Sequence, residues 1–309
     1  MTSPREALYG PAEINDPATV DWLLGPSSVA WRIFTTPVVP LIGGLRTLAI
    51  EALHPHAMRG VVDHSDYLRR PLGRLQRTAT YVAATALGTV EEAERAGRLV
   101  RSIHRHVRGH DPVTGRPYSA DDPEAQVWVH LAQWYSYLVA HRIFVGDLAP
   151  GEEDRFVAEG VKVATLVGTP AEMVPSSVEE ARDYFEEIKP RLCVTEGAVD
   201  AIAFVTGRRW PTTFQQAAVL PGTRMLGTAA IATIPPDLRR LMGVDRSRAI
   251  DAAEIAAVRA ALPIGQRLAP ILLRRVIGGG AGDAYFLRAY RLRAEAESES
   301  VQPALQEAA

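Results

Sequence analysis

His130 is the residue of this chain best placed to bind something held inside the protein. It closes the stretch Asp121-Asp122-Pro123-Glu124-Ala125-Gln126-Val127-Trp128-Val129-His130. On a helix, steps of four, seven and eleven residues from it reach Trp134, Tyr137 and His141, so these side chains share one face. Beside that face run Val127, Leu131, Trp134 and Leu138, an apolar stripe that must be buried. A histidine at the edge of such a stripe is either a packed core residue or a ligand, and periodicity leaves both open. The preceding segment carries a second candidate set. Gly97, Arg101, His104 and Arg108 follow at steps of four, seven and eleven, with Arg105 adjoining. Such a row is commonly a solvated basic face. In the functional reading, Gly97 permits close approach of a bulky group, while Arg101 and His104 offer donors to an anion or to bound oxygen. Two consecutive helices, each presenting a histidine and joined by a loop, can sandwich a flat cofactor, as in globin-type pockets.

Other constellations are weaker. Glu51-Ala-Leu-His54 has the Glu-x-x-His spacing of di-iron bundles, but no second copy follows. His54 and His56 flank Pro55, with His64 further on, and read as marking a turn. Asp121-Asp122 is explained by helix capping. There is no glycine-rich phosphate loop, dinucleotide fingerprint or nucleophile-elbow motif. The single Cys193 excludes an intramolecular disulfide and a cysteine-rich zinc site.

The elements that must position these residues read as helices throughout. Asp122 is a good N-cap, Pro123 suits the first helical position and Glu124 complements the dipole, predicting a helix from there to about Val145. Thr89-Val90-Glu91-Glu92 is a capping box opening a helix to about Val107. Gly109 to Asp122 reads as a loop. Further helices are expected over 18–24, 29–34, 44–53, 72–87, 152–167, 178–188, 195–205, 212–220, 222–231, 235–241, 252–261 and 266–275. The expected organisation is all-α: a loosely ordered segment 1–15, one helical domain over 16–292, and a disordered polar tail over 293–309.

Of 309 residues, 47% are hydrophobic, ample for a large core, and the formal charge of −2 gives no sign of a nucleic-acid partner. Only two of the 34 basic residues, Lys162 and Lys189, are lysine, leaving little for amine catalysis. The most apolar segment, 36–53, is charged and broken by Pro37, Pro40 and a glycine pair, so no membrane span is expected. No signal-peptide pattern is seen, and a cytoplasmic protein is the default expectation.

Several stretches together resemble the family of the mycophenolic-acid-pathway MpaB oxygenase and the latex-clearing rubber oxygenases. They are Leu53-His54-Pro55, Pro71-Leu72-Gly73-Arg74-Leu75-Gln76-Arg77-Thr78, Val100-Arg101-Ser102-Ile103-His104-Arg105-His106-Val107, Gly115-Arg116-Pro117-Tyr118-Ser119-Ala120, Trp128-Val129-His130, Gly168-Thr169-Pro170 and Val174-Pro175. The resemblance covers roughly residues 20 to 275. It implies a single globin-like helical domain with additional helices, holding haem b with His130 as proximal iron ligand. It further implies that Arg101 and His104 form the catalytic, distal side. Arg74, Thr78, Arg101, Arg105 and Trp134 are the other cofactor-binding candidates, with the arginines facing the propionates. In the rubber oxygenases an arginine on the distal side is followed three on by a lysine and then a threonine. Aligned without gaps, these fall on Arg101, His104 and Arg105, so no distal amine is present here. The implied reaction is oxidation by dioxygen or peroxide, and in the family cleavage of a C=C bond, of a small apolar or isoprenoid-like molecule. A haem-binding sensor or carrier, and a non-haem iron enzyme using Glu51 and His54, are the alternatives.

Overall fold

A computed structural model describes residue 14 and residues 17–36, 38–65, 71–208, 214–276 and 282–307. The fold is all-α apart from one small hairpin. In chain order the helices are α1 (Val29–Phe34), α2 (Val39–Glu51), α3 (Pro55–His64), α4 (Pro71–Leu87), α5 (Val90–His104), α6 (Pro123–Phe144), α7 (Glu152–Thr165), α8 (Val178–Ile188), α9 (Glu196–Val205), α10 (Phe214–Ala232), α11 (Pro236–Leu241), α12 (Arg248–Val276) and α13 (Gly282–Glu307).

The organising element is α6. Asp122 caps it by accepting from the Glu124 amide at 3.0 Å, Pro123 occupies the first turn, and the chain leaves through Gly146 at φ +141°. Most of its residues are buried, because α2 and α7 cover different faces of it. The α2 contact is antiparallel. Gly43 lies against Tyr137, Arg46 Nη1 donates to Ser136 Oγ at 2.7 Å, and Trp128 Nε1 donates to the Glu51 carbonyl at 3.2 Å. A Cβ on Gly43 would stand 2.4 Å from the Tyr137 ring, so this crossing requires glycine.

The Thr89 capping box forms as expected: Thr89 Oγ1 accepts from the Glu92 amide and Glu92 Oε2 accepts from the Thr89 amide. Helix α5 stops at His104 rather than Val107, since residues 108–119, all but Arg108 in the expected loop, pair as an antiparallel hairpin, β1 (Arg108–Asp111) with β2 (Arg116–Ser119). Four-residue strands are too short to show alternation. The turn is held by the buried Asp111 carboxylate, which accepts from the Val113 and Thr114 amides and from Thr114 Oγ1. Tyr118 packs beneath Gly109 and donates to Asp63, fixing the hairpin on α3.

His54-Pro55-His56 is a helix start, not a turn: His54 Nδ1 accepts from the Ala57 amide and Pro55 opens α3. The segments expected as separate helices over 212–231 and 252–275 run on as α10 and α12, whose backbones pass through Pro221 and Pro263. The 18–24 helix shortens to a 3-10 turn, Pro17–Thr19, after which Trp22 bridges to Thr89. Helix α13 covers the segment from 293 read as a fraying tail, ending at Glu307. The expected N-terminal segment lies, residue 14 apart, outside the described residues, as do residues 277–281. Among the described residues, no helix is long and apolar enough to cross a membrane.

Candidate functional site

Helices α6 and α7 together build the surroundings of His130. Its ring stacks on Trp134 at 5.7 Å between centroids and 20° between planes, and Trp134 stacks on Phe156 of α7 at 4.8 Å and 9°. Trp134 Nε1 donates to the Phe156 carbonyl at 2.7 Å, which fixes the indole and with it one face of the imidazole. Opposite the ring edges lies Gly160 of α7. A Cβ there would stand 2.6 Å from Trp134 Nε1 and 3.0 Å from His130 Nε2. We expect Gly160→Ala to cost roughly 1–3 kcal/mol through overpacking, reversing the usual gain of about 1 kcal/mol for alanine in a helix. Urea unfolding checks this, and a variant as stable as the parent would contradict the contact.

His130 is 8% exposed and its Nε2 is buried with no hydrogen-bond partner. Burial alone pushes its pKa down to about 4, so the ring is neutral at ordinary pH and one ring nitrogen carries a free lone pair. The expected hydrogen bond from its other ring nitrogen to a carbonyl or carboxylate is not formed among the described residues. An unpartnered polar atom in a packed interior is costly and is rarely kept without a use.

The second candidate set is arranged differently from the expectation. Gly97 is buried, and a Cβ on it would stand 2.7 Å from the Leu166 carbonyl at the end of α7. Its missing side chain therefore admits the α7 backbone rather than a cofactor. Arg101 is exposed and lies over Gly168, whose φ of +98° and bare Cα leave it room. Next to that glycine, the buried Thr169 donates to Gln126 Oε1 at 3.0 Å, and Gln126 in turn donates to the Ala120 carbonyl. The Gly168-Thr169-Pro170 motif thus ties the end of α5 and the exit of α7 to the first turns of α6. His104 is half-buried, with Nδ1 buried and unpartnered. Burial lowers its pKa, against the pull of Asp121 at the start of α6. His130 stacks on Trp134 and its Nε2 lies against Gly160.

The remaining sequence candidates scatter. Arg105 is exposed where α5 ends, and its carbonyl accepts from Arg108. Arg74 is half-buried on α4, donates to Ser65 Oγ at 3.1 Å and acts electrostatically on Glu51. Thr78 is exposed on the same helix. Sequence reasoning missed the reach of two polar residues beside α6. Arg46 is buried with its Nε unpartnered, and desolvation lowers its pKa to about 10. In the sequence Glu51 stands out only through its Glu-x-x-His spacing, yet burial raises its carboxyl to about 7. Their isolation in sequence gave no signal; only the antiparallel packing of α2 on α6 shows it.

Residues 31–264 match the family described as ER-bound oxygenase mpaB/B'/Rubber oxygenase, catalytic domain. The chain belongs to this family. The match runs from α1 into α12 and so takes in every helix around His130. Uncharacterized proteins of Mycobacterium tuberculosis and Mycobacterium bovis are each 23% identical to it over 217 residues, 69% of this chain and 82% of theirs. No solved structure matches it. Membership of the mpaB and rubber oxygenase family makes this an oxygenase-type catalytic domain.

Proposed function

We propose that this chain is a haem-b-dependent oxygenase with His130 as the iron ligand, oxidising a small apolar or isoprenoid-like molecule with dioxygen or peroxide. The observation that carries this reading is the His130 imidazole: buried, neutral, unpartnered and facing a glycine in a protein of an oxygenase family. The donor set suits haem iron, which takes a single neutral imidazole from the protein. Haem bound there would supply the electron-transfer and dioxygen chemistry. The protein's own part follows from its side chains. Trp134 and Phe156 hold the imidazole plane and keep water from it. Arg101, Arg105 and Arg74 are the cations available to the propionates, with Thr78 on the same helix as Arg74. His104, its Nδ1 unpartnered, would be the group to hold or release a proton.

The rival use of Glu51 and His54 for non-haem iron has less behind it. His54 Nδ1 is occupied with the Ala57 amide, and the described residues contain no group of three or more His, Cys, Asp or Glu able to hold a metal ion. Catalysis is tested by incubating the haem-loaded protein with a panel of alkenes under labelled dioxygen, with and without peroxide. Isotope in an oxidised product is the expected result. Full haem loading with no oxidation of any alkene would instead favour a haem carrier or sensor.

A further inference from the structure

The lone pair of His130 is covered by a helix. Its Nε2 is buried without a hydrogen-bond partner, and the α7 backbone at Gly160 is so near that a Cβ there would stand 3.0 Å from that nitrogen. A metal on an imidazole nitrogen stands about 2 Å in front of it, and a flat macrocycle around the metal needs room on both sides. That room is not open at Nε2 while α7 lies where it does. Glycines in the left-handed region flank this helix, Gly151 at φ +81° and Gly168 at φ +98°, and a Cβ on Gly151 would meet nothing within 4 Å. Such positions can absorb a change in backbone angle. The ion pairs of α7 with its neighbours, Arg32 with Glu152 and Arg142 with Glu153, are partly exposed and hold it weakly. The firmer tether is Glu159, the residue before Gly160. Its Oε1 accepts from the Val29 amide at 3.1 Å and its Oε2 from the Ala30 amide at 2.8 Å, both in the first turn of α1. These are charge-assisted bonds to amides that have no partner within α1. Helix α1 also lays Phe34 against Trp134 at 5.4 Å, so the helices that Glu159 joins are those that pack around the stack on His130.

We propose that α7 is a gate over His130, latched to α1 through Glu159, and that a ligand reaches Nε2 only when this latch lets go. The open form is a minor state, because Phe156, Val157 and Val163 are buried and draw the helix back. Anything that binds Nε2 binds the open form, so its apparent affinity is reduced by the open fraction and rises when the latch is weakened. The identity of the ligand rests on the haem reading of His130, whereas the gate itself is read without haem.

The experiment measures the rate at which diethyl pyrocarbonate modifies each histidine, by peptide mass spectrometry, in the full-length protein produced without a haem supplement. In the parent, His130 is expected to react at least roughly tenfold more slowly than the exposed His110. Glu159→Gln, which takes the charge from the latch, and Glu159→Ala, which removes it, are expected to speed His130 by roughly fivefold and tenfold. His54, buried where α3 begins, is the control for general loosening and keeps its parental rate. Haemin is then added and the growth of the Soret band timed; uptake is expected to quicken in both variants. A protein that takes up no haem overturns the cofactor reading and leaves the gate to the modification rates. A parental His130 as reactive as His110, a rate unchanged in both variants, an acceleration matched by His54, or haem uptake indifferent to both variants would each overturn the gate.

Discussion

Glu51→Gln is expected to stabilise the protein above neutral pH and to leave it nearly unchanged in mild acid. The carboxyl titrates near 7 in the folded chain against 4.5 in an unfolded one. Between those values the folded state holds a proton that the unfolded state has released, so each rise in pH favours unfolding. The penalty is absent below 4.5 and complete above 7, where the shift corresponds to about 3 kcal/mol at most. Because the side chain is partly exposed, solvent screening brings the expected gain from glutamine down to roughly 1–2 kcal/mol. His130 and His54 act in the opposite sense. Burial lowers both to about 4, so their neutral folded forms cost stability as pH falls below 6.5. The informative quantity is therefore the difference between variant and parent in urea unfolding at pH 5 and pH 8.5. A difference that does not grow with pH would show that the Glu51 carboxyl is not desolvated in the folded chain.

The second large effect ties α13, beyond the family-matched segment, to α5 within it. Arg288 of α13 donates to both Glu92 carboxylate oxygens, at 2.9 and 2.7 Å, and to the Leu87 carbonyl. Its guanidinium lies over the rings of Trp22 and Tyr285. Glu92 and Arg288 are both buried, and Glu92 is also half of the α5 capping box. Arg288→Met leaves a buried carboxylate without its cation and is expected to cost roughly 3–5 kcal/mol. Glu92→Gln in the same background should recover much of that loss by removing the stranded charge. Thermal unfolding of the single and double variants measures both. A single variant within about 1 kcal/mol of the parent would mean that α13 is not anchored to α5 through this pair.

Much of α6 was legible in the sequence. Its cap, its proline and its apolar stripe named the helix, and the spacing to Trp134 placed His130 inward. What stood opposite was not legible. Gly160 lies within an amphipathic helix, where a glycine by itself indicates only reduced propensity. That it meets His130 and Trp134 depends on how α7 crosses α6. Gly97 misled for the same reason: it does permit a close approach, but the approaching group is the Leu166 backbone. Local chemistry outweighed pattern elsewhere. Asp111 folded an expected loop into a hairpin, and His54 capped a helix where a turn was expected. Glu51 carried no motif beyond a half-copy of an iron site, and its desolvation comes from helices far away in sequence.

Haem ligation by His130 is tested most directly by the visible spectrum of the protein purified from haem-replete cells, or of the apoprotein reconstituted with haemin. A Soret band that is lost in His130→Ala, survives in His141→Ala, and returns when imidazole is added to His130→Gly is the predicted result. A protein that stays colourless after reconstitution, or a band indifferent to His130→Ala, would contradict it.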